Sequence, residues 1–129
     1  IIFTFFLLEQ RASMTGNIRT LSFLAPELLN EQKYDEKVDV FSFGVLMFFL
    51  LSNGEIPNIA IGQCAQGIKA PIPSSFNSLS REIIDSCWNF DPKGRPSFDD
   101  ICFEIEKNNY QVIDMSNTEK SIQRLNSIN

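Results

Sequence analysis

The run Val38 to Leu51 constrains this chain more than any other feature, because eleven of its fourteen residues are apolar and at helical spacing they fall on every side of the wheel. A helix that is apolar all round cannot lie on a surface, so other elements must enclose it. The remaining segments are therefore expected to wrap around one central helix. That helix is expected to stop near Ser52-Asn53-Gly54, with Pro57 just beyond it. Its longest unbroken apolar run, Val45 to Leu51, has seven residues, well short of the roughly 18 that a membrane span requires.

The flanking segments read as shorter elements. Ile1 to Leu8 is β-branched and aromatic, which suggests a strand or an extended stretch, and Glu9 to Thr20 reads as a polar loop around Gly16 and Asn17. Pro26 suits the first turn of a helix, where its missing N–H costs nothing, so Ala25 to Asn30 is predicted helical. A short helix is predicted around Ile61 to Gly67, followed by an extended stretch at Pro71 and Pro73. Leu79, Ile83, Ile84, Cys87 and Trp88 share one helical face, with Ser78 as the expected cap. Asp91-Pro92-Lys93-Gly94 is a turn signal. Ser97-Phe98-Asp99-Asp100 has capping-box spacing and opens a helix with the stripe Phe98, Ile101, Cys102 and Ile105. Beyond Asn108 the chain turns polar and rich in Asn. There are no internal repeats, and the coarse expectation is a mainly α protein.

Composition removes whole classes of chemistry. The chain has no His, which excludes Ser/His and Cys/His nucleophilic pairs, imidazole bases and His-containing zinc sites. Eleven Lys and Arg against sixteen Asp and Glu give a net charge of −5, with the basic residues scattered singly, so no nucleic acid partner is expected. Cys64, Cys87 and Cys102 form no C-x-x-C pair and are expected to be reduced and buried. No N-x-[ST] acceptor occurs. Ile1 to Leu8 has seven apolar residues in eight, like the apolar core of a signal peptide, but it lacks a basic leader and a small-residue cleavage site. The expectation is a soluble cytoplasmic chain with no membrane partner. The missing initiator Met is consistent with a fragment whose true N-terminus lies elsewhere.

Three patterns occur in order and at telling distances: Thr20-Leu-Ser-Phe-Leu-Ala-Pro-Glu27, Asp39-Val-Phe-Ser-Phe-Gly44, and Cys87-Trp-Asn-Phe-Asp-Pro-Lys-Gly-Arg95-Pro96. Together they resemble the C-terminal lobe of eukaryotic protein kinases, from the activation segment to the last helix, over roughly Ser13 to Asn108. The Cys-Trp pair ahead of Arg-Pro is similar to the tyrosine-kinase-like and tyrosine kinase branches, and Thr20 ahead of Ala-Pro-Glu is similar to Ser/Thr kinases. A tyrosine-kinase-like Ser/Thr kinase is thus the family resembled. The implied fold is mainly α, the C-terminal lobe portion of the kinase-like fold with an incomplete core. Residues 1–108 are expected to form a partial kinase domain, and residues 109–129 a polar tail that is either a weak helix or disordered.

The resemblance also implies roles. Glu27 is expected to pair with Arg95 in a buried ion pair, tying the end of the activation segment to the loop before the last helix; two unrelated surface charges are the alternative. Asp39 matches the residue that anchors the catalytic loop from the central helix, and read alone it is a helix N-terminal charge. Ser13 and Thr15 match activation-loop positions and are candidate phosphosites, although Ser and Thr in loops are commonly solvated turn residues. Thr20, Leu21 and Ser22 match the stretch that contacts the residue after the substrate hydroxyl. Arg19 departs from the family, which usually has Gly there, and its side chain is expected to crowd substrate or to need another backbone angle.

Phosphoryl transfer in this fold needs a Gly-rich phosphate loop, a Lys–Glu pair, an H-R-D-x-x-x-x-N loop and a D-F-G aspartate. None is present in this sequence. Gly62-Gln-Cys-Ala-Gln-Gly67-Ile-Lys69 puts Ile68 where a P-loop requires Lys, so it is not one. No catalytic residue, metal ligand or cofactor site is expected in this chain, whereas ATP and Mg²⁺ would serve a complete parent kinase. Without the preceding helix and catalytic loop, one side of the 38–51 helix is expected to be bare and the isolated chain only marginally stable. Three readings stay open: a segment of a Ser/Thr kinase acting on a protein substrate, a non-catalytic interaction or scaffold module derived from a kinase lobe, and an unrelated helical adaptor with chance matches.

Overall fold

A computed structural model describes residues 22–109, 111 and 122–127. The expectations for Ile1 to Leu8 and the loop Glu9 to Thr20 lie outside the described residues. Among the described residues the fold is helical, without strands: α1 (Pro26–Leu29), α2 (Lys37–Leu51), α3 (Ile61–Ala65), α4 (Ser78–Cys87), a 3₁₀ turn (Pro92–Gly94) and α5 (Phe98–Lys107). Residues 122–127 add a last helical stretch. No helix of the described residues is long and apolar enough to cross a membrane.

The uniform apolarity of α2 makes it the axis of the core. Val38, Val40, Phe41, Val45, Met47, Phe48 and Phe49 are buried, and α4 packs along it through Ile83, Ile84, Cys87 and Trp88. Phe48 joins the two layers, its ring centroid 5.7 Å from that of Trp88 and 5.6 Å from that of Phe76. Leu24, Ala25 and Leu28 cover the α1 side, and Ile101 of α5 closes another. Each fully buried aliphatic or aromatic side chain contributes about 1.5–3 kcal/mol relative to exposure. Phe43, Leu46, Leu50 and Leu51 are half-buried, so this face is partly covered rather than bare. Phe43, for example, meets the edge of Phe98 at 5.8 Å.

Local chemistry sets the helix ends. The N–H of Gly54 donates to the Phe49 carbonyl at 2.8 Å beyond Asn53 at φ 60°, the Schellman pattern that stops α2 where the sequence signalled. The same device ends α3: Gly67 sits at φ 90°, its N–H reaches the Cys64 carbonyl, and the Ile68 N–H reaches Gln63. Ser97 Oγ accepts from the Asp100 N–H at 3.0 Å while the Asp100 carboxylate accepts from the Ser97 N–H at 3.1 Å, the capping box read from the sequence. These bonds hold the Asp100 carboxyl below its ordinary range, and the charge of Lys37 adds to the effect.

Three local expectations are corrected. The α4 cap is Asn77, whose Oδ1 accepts from the Ser80 N–H at 2.8 Å, and Ser78 is already inside the helix. Asn caps at least as well as Ser, so the earlier of two adjacent candidates prevails. The α5 stripe is narrower than its spacing suggested: Ile101 is buried, Ile105 is half-buried, and Phe98 and Cys102 are exposed. Only Cys87 is fully buried among the thiols, and Cys64 is partly so.

Candidate functional site

The site is assembled where α1, the start of α2 and the loop 89–95 meet. Pro26 opens α1 from an extended Ala25, the backbone form a residue before proline prefers. That start sets Glu27 on the inner side of the first turn. Arg95 follows the 3₁₀ turn that Asp91 caps by accepting from the Lys93 N–H at 3.0 Å. The two meet 68 residues apart in sequence: Arg95 Nη1 donates to Glu27 Oε1 at 2.7 Å and Nη2 to Oε2 at 2.9 Å. Glu27 is 5% exposed and Arg95 2%.

The guanidinium is satisfied on every side, as a buried charge requires. Nε donates to the Asn89 carbonyl at 2.8 Å, Nη1 to the Lys37 carbonyl at 3.0 Å and Nη2 to the Phe90 carbonyl at 3.4 Å. The Phe41 ring lies 5.1 Å from the guanidinium carbon. One side chain therefore ties α1, the first turn of α2 and the loop ahead of α5.

A second tie, to which the sequence expectations gave no role, lies beside it. Ser42 is fully buried in α2, and its hydroxyl donates to the Phe23 carbonyl at 2.6 Å, so the central helix grips the segment leading into Ala25-Pro26-Glu27. A Ser inside an otherwise apolar run is the signal that would have pointed to it, since a buried hydroxyl needs an acceptor. The Phe23 and Phe49 rings lie 6.4 Å apart beside it.

Asp39 lies in the first turn of α2 and is half-buried. Ser22 is half-buried at the mouth of an apolar cavity lined by Phe41, Val45, Cys64, Ile68 and Trp88. Ser13, Thr15, Thr20 and Leu21 lie outside the described residues. The cavity has a volume of about 30 Å³. Among the described residues no group of acidic, Cys or His side chains is arranged to hold a metal.

The family profile described as protein tyrosine and serine/threonine kinase matches residues 7–105. The chain is 35% identical over 106 residues to mitogen-activated protein kinase kinase kinase 12 of Rattus norvegicus, covering 77% of this chain and 12% of that protein. It is 31% identical over 114 residues to the serine/threonine-protein kinase STY17 of Arabidopsis thaliana, covering 83% of this chain and 19% of that protein. It is 32% identical over 89 residues to the dual specificity protein kinase shkE of Dictyostelium discoideum, covering 64% and 12% respectively. The chain thus spans less than a fifth of the length of these relatives.

Proposed function

The chain belongs to the protein tyrosine and serine/threonine kinase family, and we propose that it is the C-terminal-lobe segment of a Ser/Thr protein kinase, running from the activation segment to the last helix. The complete kinase would transfer the γ-phosphate of ATP to a protein Ser or Thr with Mg²⁺. The sequence carries no Gly-rich phosphate loop, H-R-D or D-F-G motif, so on this reading the chain alone transfers no phosphate. Residues 1–108 are its kinase part and 109–129 its tail. Thr20, Leu21 and Ser22 contact the substrate, Ser13 and Thr15 accept regulatory phosphates, and Asp39 anchors the catalytic loop.

The observation that carries this reading is the buried, fully satisfied Glu27–Arg95 pair. It joins two of the three sequence patterns on which the resemblance rests. A lone buried charge would be costly, so the pair makes both motifs necessary to each other.

The test is a graft in which residues 7–105 replace the aligned segment of the rat relative. The expected result is a folded protein that phosphorylates Ser or Thr in a protein substrate, while the 129-residue chain alone shows neither saturable Mg·ATP binding nor turnover. A graft that folds cooperatively and transfers no phosphate contradicts the reading.

A second reading, a non-catalytic interaction module, is supported by Ile68 and Phe90, which are exposed at the rim of the cavity beside α3. The folded but inactive graft is the outcome that would favour it.

A further inference from the structure

We infer that Lys37 is a positioning residue: with Arg95 it forms a reciprocal clasp that fixes the start of the central helix, and with it Asp39, to the loop that holds Glu27. Lys37 Nζ donates to the Arg95 carbonyl at 2.7 Å, and Arg95 Nη1 donates back to the Lys37 carbonyl at 3.0 Å. Each side chain thus holds the other residue's backbone, 58 residues away in sequence. Two crossed bonds of this kind resist both sliding and rotation of one backbone against the other, which a single side-chain pair does not.

The charge of Lys37 is informative because of where it stands. Lys37 is the first residue of a 15-residue helix, and a cation in a first turn opposes the field of the helix. Here the ammonium leaves the helix end and binds the carbonyl just after the 3₁₀ turn, and its charge also favours the ionised carboxyl of Asp100 at the start of α5. Lys37 therefore ties the first turn of α2 to the Arg95 loop. Through Arg95 the connection continues to Glu27. Asp39 lies two residues further along the same turn, so its placement depends on how firmly Lys37 is held. The catalytic consequence rests on the reading of the chain as a kinase segment; the clasp itself does not.

Amide hydrogen exchange on the full chain tests the clasp. The Gly94 and Arg95 N–H groups donate to Asp91 at 3.0 Å and Pro92 at 3.2 Å, so they report on the loop directly. Lys37→Met removes the ammonium and leaves the carbonyl, and it is expected to speed exchange at Gly94 and Arg95 about 10-fold, with less than about 2-fold change in Ser78–Cys87. Lys37→Arg, which keeps a donor, is expected to restore protection. Unchanged exchange, or equal acceleration in both regions, overturns the clasp. If Lys37→Met unfolds the isolated chain, the same comparison is made within the graft. There Lys37→Met is also expected to lower kcat about 5–10-fold with the KM for ATP unchanged, as misplacement of a catalytic group does. A fall in KM-dependent binding alone, or an unchanged kcat, overturns the positioning role. An inactive wild-type graft refutes the kinase reading and leaves the exchange result standing.

Discussion

Gly44 of the central helix faces Trp88 so closely that a Cβ at Gly44 would stand 2.8 Å from the indole Nε1 and 2.7 Å from the Cys87 Cβ. The two helices α2 and α4 meet at this point, with Cys87 and Trp88 both buried. The missing Cβ is what permits the approach. Gly44→Ala gains about 1 kcal/mol of helix propensity but overpacks a seam of buried side chains, at a cost of about 1–3 kcal/mol. A net loss of stability is expected, read as a lower urea midpoint. Equal or greater stability would show that the seam yields.

Removing one partner of the Glu27–Arg95 pair strands the other in a buried site. Glu27→Gln and Arg95→Met are each expected to cost about 3–5 kcal/mol, and the double variant less than their sum. Exchanging the two charges is not expected to rescue stability. A carboxylate at position 95 would face the carbonyls of Lys37, Asn89 and Phe90, which now accept from the guanidinium. A double-mutant cycle by urea unfolding measures the coupling, and strict additivity would mean that the pair is not coupled.

These residues also mark what could be read before the structure. The axis of the fold was legible because eleven apolar residues in fourteen leave a helix no surface position. The capping box at Ser97 was legible because its chemistry is local. The meeting of Glu27 and Arg95 was expected only as what the kinase resemblance implies, since no local rule relates residues 68 apart. Lys37 was missed for the same reason: its partner is a distant backbone carbonyl, and carbonyls carry no residue identity. At α4 the failure was one of choice between neighbours, Asn77 and Ser78, both competent caps. At α5 the spacing identified the helix but not which of its apolar residues find a partner.

The Ser97 cap has its own expected cost. Ser97→Ala removes the acceptor for the Asp100 N–H and is expected to lower stability by about 1 kcal/mol, with Ser97→Asp retaining most of it. Thermal unfolding followed by circular dichroism gives the difference. No change would mean that the first turn of α5 is held by packing alone.

Alkaline pH is expected to unfold the chain through Cys87. Burial pushes the thiol from an ordinary 9.0 up to about 12, with the Arg95 charge opposing the shift, and Cys64 moves in the same direction. The folded pKa lies above the unfolded one, so the native state favours the neutral thiol. Its stability is fully present below pH 9 and falls as pH rises from 9 toward 12, by at most about 1.4 kcal/mol per pH unit for this group. Urea midpoints at pH 8, 9 and 10 should decline more steeply in the wild type than in Cys87→Ala. Parallel declines would assign the effect to other groups.

On the proposed kinase reading, Glu27 and Arg95 hold the end of the activation segment in place for phosphoryl transfer. The most direct measurement is the initial rate of Ser/Thr phosphorylation by the graft of residues 7–105, with and without Glu27→Gln, at saturating ATP. The expected result is an active wild-type graft whose kcat falls about 10-fold or more in Glu27→Gln, with the KM for ATP unchanged. A Glu27→Gln graft as active as its parent would contradict it.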